Sequence, residues 1–158
     1  MKKAIPVLIV AILLLSLFLI PLERNVASDG SETITGMFLV SKSVRYPVSV
    51  SVIEPSDVEK MGISIDQHEL NFGILTKGSK ATKHINLSYI DKEVKIRLNI
   101  YGDIKDMIEI EKNNFIIDTP ENIPIALNAT TTGNFSGHVE VVASRPKAGW
   151  LGWIMPWI

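Results

Sequence analysis

The 158-residue chain contains no cysteine. That absence removes disulfides, thiolate-held zinc, iron–sulfur clusters and thiol nucleophiles together. It does not decide the compartment, because a sandwich of about 110 residues buries enough core without covalent staples. A surplus of positive charge is missing too. Lys and Arg number 16 against 17 Asp and Glu, for a formal net charge of −1. Nucleic acid as a partner would demand a basic surplus to neutralise phosphates, so that class is not expected.

Signatures of catalysis are also lacking. The three histidines, His68, His84 and His138, form neither His-x-His nor His-x-x-x-His, and solvated strand-face positions account for them. There is no Gly-x-Ser-x-Gly elbow, Walker loop or dinucleotide fingerprint, the motifs that would mark acyl transfer or phosphate binding. The acidic spacings Asp103/Asp106 and Glu109/Glu111 do not match a calcium loop. No catalytic, cofactor-binding or metal-ligating residue is nominated, and no enzyme activity or cofactor is expected. The sequence names no small-molecule ligand.

What is present sits unevenly. Residues 1–28 hold 19 apolar residues, residues 148–158 hold 8 of 11, and residues 29–147 hold 46 of 119. The middle has an ordinary soluble composition, and the excess lies at the two ends.

At the first end, Met1-Lys2-Lys3 precedes an uncharged run from Ala4 to Leu22, 19 residues. As a helix this run reaches ~28 Å, near the hydrocarbon thickness of a bilayer. The lysines before it put the amino end in the cytoplasm. Val26-Ala27-Ser28 then offers small residues suited to signal-peptidase cleavage after Ser28. Residues 1–28 are therefore either a cleaved signal peptide or an uncleaved signal-anchor helix. The run exceeds the usual apolar core of a signal peptide, which favours the anchor. Both readings deliver residues 29–147 outside the cytoplasm, anchored in the cell membrane or secreted.

Across the middle, short alternating runs follow one another. Val48, Val50 and Val52 alternate with Ser49 and Ser51, the period of a half-buried strand. Leu70–Leu75 is a further run. Ile85, Leu87 and Tyr89 share one face, as do Val94, Ile96, Leu98 and Ile100, with Asp91-Lys92 as a turn between these two. Ile123, Ile125 and Leu127 form another set, and Val139, Val141 and Ala143 another, with Gly133 and Gly137 as punctuation. Turn chemistry recurs every eight to twelve residues or so, as all-β sandwiches require. The expected organisation is a linker with leading strands over 29–62, a β-sandwich over 63–147, and a tail over 148–158.

The segment Leu70-Asn71-Phe72-Gly73-Ile74-Leu75, followed by Lys77-Gly78 and the alternation from Lys83 to Leu87, resembles the opening of immunoglobulin-like sandwiches of the ASPM–SPD-2–Hydin and major-sperm-protein-like type. The Ile123–Leu127 strand and the Gly-x-Val-x-Val element at Gly137–Val141 fit that layout. The resemblance covers about residues 63–144. It implies an antiparallel immunoglobulin-like sandwich acting as a non-enzymatic adhesion or scaffolding module.

Three Asn-x-Ser/Thr sequons, at Asn86, Asn128 and Asn134, are acceptors for N-glycosylation in an exported protein of a glycosylating organism, or ordinary polar residues of strand faces. All three tryptophans, Trp150, Trp153 and Trp157, lie in the last nine residues, just after Arg145 and Lys147. The tail is too short to span a bilayer, but tryptophan favours the headgroup interface. Membrane lipid is the expected partner. Docking into a groove of a protein partner, or packing back on the sandwich, are the other readings. The expected role is structural, adhesive or scaffolding in the cell envelope. The alternatives are an accessory subunit of a membrane complex docked through this tail and, less favoured, an exported enzyme.

Overall fold

A computed structural model describes residues 21–28, 30–36, 39–55, 69–87 and 93–147. They form ten strands: β1 Pro21–Val26, β2 Glu32–Gly36, β3 Leu39–Ile53, β4 Leu70–Thr76, β5 Lys80–Leu87, β6 Val94–Gly102, β7 Ile108–Ile110, β8 Phe115–Ile117, β9 Glu121–Asn128 and β10 Gly133–Pro146. A 3-10 turn, Lys105–Met107, leads into β7. The described protein is thus all-β, as expected, with two sheets. No helix among the described residues is long and apolar enough to cross a membrane.

The chain divides into two compact units. One comprises Met1–Lys42 and Ser144–Ile158, the other Ser43–Ala143. In the first, the hydrogen-bonded strand order is β1-β2-β3-β10. β1 and β2 are antiparallel, with Arg24 opposite Ile34 and Val26 opposite Glu32. An Arg24–Glu32 ion pair spans the same ribbon. Ala27 and Gly30 close the turn through backbone hydrogen bonds, and Gly30 adopts a φ of +75°. Pro21 and Leu22, expected in the apolar helix, belong to this strand instead. Residues 1–20 lie outside the described residues, and so does the helical reading of them.

In the second unit the order β3-β10-β6-β8 forms one sheet, with β4 also paired to β3, and β5-β9-β7 forms the other. Both sheets turn their apolar sets into one core. Val48, Val50 and Val52 of β3, Ile96 and Leu98 of β6, and Val139 and Val141 of β10 meet Ile85 of β5 and Ile123, Ile125 and Leu127 of β9. The alternations named in the sequence are the buried faces, because successive side chains of a pleated strand point to opposite sides. β3 is therefore part of the main core.

Two expectations are corrected. Asp91-Lys92 does not join a hairpin: β5 pairs with β9, whereas β6 pairs with β8 in the other sheet. The two apolar faces thus meet across the core. Nor is pairing antiparallel throughout, since β3 and β4 run parallel. Parallel neighbours need a longer connection than a hairpin, and residues 54–69 supply it.

Lys83 occupies the core-facing register of β5, opposite Ile125. An inward charge on a strand at the end of its sheet is a recognised guard against further strand addition.

Candidate functional site

The outward face of β4, β3 and β10 in the second unit carries small polar residues. Its shape begins with a local kink. The Asn71 Oδ1 accepts a hydrogen bond from the Gly73 N–H at 2.9 Å, a side-chain turn that asparagine makes readily. Gly73 has a φ of +69°. The register slips there, from Ser49 opposite Asn71 to Ser51 opposite Ile74. Bulges of this kind bend a strand and re-aim its side chains. The result is an open groove of about 450 Å³ lined by the polar Ser49, Ser51, Asn71, Asn134 and Ser136 and by the apolar Val50, Ile74 and Phe135. Its lining holds hydroxyl, amide and hydrocarbon groups and no ionisable side chain.

Further along β10 a second cluster forms with β6 and β3. The Glu140 carboxylate accepts hydrogen bonds from Arg45 Nε at 3.2 Å, Asn99 Nδ2 at 3.3 Å and Tyr101 Oη at 3.4 Å. Tyr101 stacks on His138 with ring centroids 4.8 Å apart and planes 22° from parallel. Both oxygens of Glu140 are engaged, so its carboxylate orders the face. The groove and the stacked pair offer hydrogen-bonding groups, apolar surface and an aromatic ring to a ligand.

Two groups away from this face have shifted acidities. Hydrogen bonds from Lys80 and then Asn128, with the Lys80 charge, hold the Glu109 carboxyl below its ordinary range. Burial pushes the Tyr46 hydroxyl up. No group of three or more metal-ligating side chains is found among the described residues.

The sequons fall at separate places. Asn86 is exposed on β5, opposite Asn122. Asn128 ends β9, and its Nδ2 donates to Glu109 Oε2 at 3.3 Å. Asn134 is exposed within β10. Gly133 begins that strand, whereas Gly137, expected as punctuation, lies inside it. Trp150, Trp153 and Trp157 lie outside the described residues, as does His68, while His84 is exposed on β5.

The Tyr101–His138–Glu140 cluster was not legible in the sequence. Alternation places each of its members outward, yet only the pairing of β6 with β10 brings them together. No family model, curated protein or solved structure matches the chain.

Proposed function

We propose that this chain is a membrane-anchored β-sandwich displayed outside the cytoplasm, with an adhesive or scaffolding role in the cell envelope and no catalysis. The observation that carries the reading is the pairing of β1 with β2 directly after the apolar run. Cleavage after Ser28 would cut the turn between these strands and free β1 from the chain. Retention of the amino-terminal segment keeps the sheet whole. The 17 residues from Ala4 to Ile20 that precede β1 carry no charge, and about 17 residues suffice to cross a bilayer as a helix.

Supporting an immunoglobulin-like layout, the two sheets enclose one core, and β4 leads through the Gly78 turn, with a φ of +87°, into β5. For that layout we infer the ASPM–SPD-2–Hydin or major-sperm-protein-like type. The groove and the Tyr101–His138 pair are the proposed adhesive surface. The groove's uncharged lining, part polar and part apolar, suits a neutral ligand with surface of both kinds. Amino-terminal sequencing of the mature protein from a membrane fraction tests the anchor. A start within residues 1–3 supports it, and a start at Asp29 overturns it.

A further inference from the structure

The groove formed by β3, β4 and β10 carries a modification acceptor in its own wall. Asn134, Phe135 and Ser136 make up a complete Asn-x-Ser sequon, and all three line the groove. Asn134 and Ser136 are exposed while Phe135 is half-buried, as alternation along a strand requires. The acceptor amide and the hydroxyl that completes the sequon therefore share the outward face. Neither of the other sequons adjoins a groove in this way. Asn86 lies on β5 in the other sheet, and Asn128 ends β9 bonded to Glu109.

The floor beside that acceptor is low and uncharged. Arg45 bonds Glu140, and Ser49 and Ser51 share the groove with Ser136 and Asn134, so position rises along β3 as it falls along β10. On its other side Ser49 lies opposite Asn71 of β4, and Ser51 opposite Ile74. The two serines thus form a strip between β10 and β4. Neighbouring strands are about 4.8 Å apart, which sets β4 about 10 Å from β10, within reach of the first sugars of a glycan rooted on Asn134. Asn71 Oδ1 is taken by the Gly73 N–H, which leaves its Nδ2 to donate to a sugar hydroxyl. Ile74 offers hydrocarbon to the apolar face of a sugar ring. The lining carries no charge, and a neutral sugar brings none.

We propose that Asn134 is a glycosylation site whose sugar lies in this groove, so that modification and ligand binding there exclude one another. The inference rests on the external display proposed above and adds a control to the adhesive face. The transfer forms a bond between Asn134 Nδ2 and the anomeric carbon of the first sugar. It breaks the bond from that carbon to the phosphate of a lipid-linked oligosaccharide. The amide gives up a proton, and the lipid phosphate is the leaving group. Chains bare at Asn134 present the groove, whereas chains modified there present sugar in its place.

The full chain is expressed in a glycosylating eukaryotic host, and its sites are read by peptide mass spectrometry. Because the chain has no cysteine, Ser49→Cys places a unique thiol on the groove floor, and Thr119→Cys places one at an exposed position after β8. Each is made with and without Asn134→Gln, and labelling by a fluorescent maleimide is timed. The Asn134 glycan is expected to slow labelling of the groove thiol about tenfold or more, since thiol reactivity follows access, and to leave the other thiol unchanged. Equal rates for the groove thiol with and without the glycan mean a sugar standing in solvent, and overturn the proposal.

Site occupancy separates external display from the groove glycan. A chain bare at both Asn86 and Asn134 was not delivered across the membrane, which overturns the external display and the proposal with it. Sugar on Asn86 with Asn134 bare overturns the groove glycan alone. A second measurement needs no cysteine. Nuclear Overhauser contacts between the first sugar on Asn134 and the Ile74 methyls are expected in the glycosylated chain, and their absence overturns the proposal.

Discussion

Gly102 and Gly137 pass each other with no room for a side chain on either. A Cβ on Gly102 would lie 2.6 Å from the Cα of Gly137, and one on Gly137 would strike the Tyr101 carbonyl oxygen and come within 2.9 Å of an Ile104 methyl. Gly102 also holds a φ of +92°, a conformation that side-chain-bearing residues rarely adopt. This approach brings β6 against β10 where Tyr101 stacks on His138. Gly137→Ala is expected to destabilise the fold by roughly 2–4 kcal/mol. Gly30→Ala, with a φ of +75° but nothing within 4 Å, should cost only about 1 kcal/mol. Urea titrations of the two variants check the order, and equal midpoints would refute it.

The second prediction concerns the core. Ile125 is fully buried, paired with Lys83 on one side and Ile110 on the other. Ile125→Ala should cost about 3–4 kcal/mol, and Ile125→Val about 1 kcal/mol. Denaturant unfolding followed by far-ultraviolet circular dichroism measures both.

Glu140 ties three strands through Arg45, Asn99 and Tyr101. Its side chain is 12% exposed while that of Arg45 is 60% exposed, so solvent screens much of the attraction. Glu140→Gln is expected to cost about 1 kcal/mol, with the loss reduced at high salt. A double-mutant cycle with Arg45→Met isolates the pair. A coupling energy indistinguishable from zero would show that the contact is ornamental.

Glu109 provides a pH signature. Its carboxyl is held below the ordinary 4.5 by hydrogen bonds from Lys80 and Asn128 and by the Lys80 charge. A depressed folded value stabilises the fold above the unfolded value, and that stabilisation disappears as pH falls through the folded one. The carboxyl carbon of Glu109 should therefore titrate at lower pH than those of unpaired glutamates in an NMR titration. In Lys80→Met it should move upward, and no movement would remove Lys80 as the cause.

Glycan occupancy should distinguish the three sequons. Asn86 and Asn134 are exposed. Asn128 donates to Glu109, and the next residue, Ala129, is 1% exposed with its N–H and carbonyl bonded to Ser79 and Gly78. Expression in a glycosylating host, read by peptide mass spectrometry, should find sugar on Asn86 and Asn134 and none on Asn128.

The strands were legible because burial of one face writes a period of two into the chain. Val48-Ser49-Val50-Ser51-Val52, Ile123-Pro124-Ile125-Ala126-Leu127 and the alternation from Val94 to Ile100 each announce which side faces the core. The same rule places Asn99, Tyr101, His138 and Glu140 outward, but says nothing about which strands are neighbours. Sheet partners are chosen by contacts between residues far apart in sequence, and no local pattern encodes them. Hence Asp91-Lys92 looked like a hairpin turn although β5 and β6 belong to different sheets, and the parallel run of β4 beside β3 was not foreseen. By itself the sequence determined composition, the apolar ends and the inward faces. Only the tertiary structure decided that β1 is paired with β2, that Gly102 and Gly137 must both lack a Cβ, and that Tyr101, His138 and Glu140 come together. Each of these depends on the pairing of distant strands, which the packing of the whole fold selects.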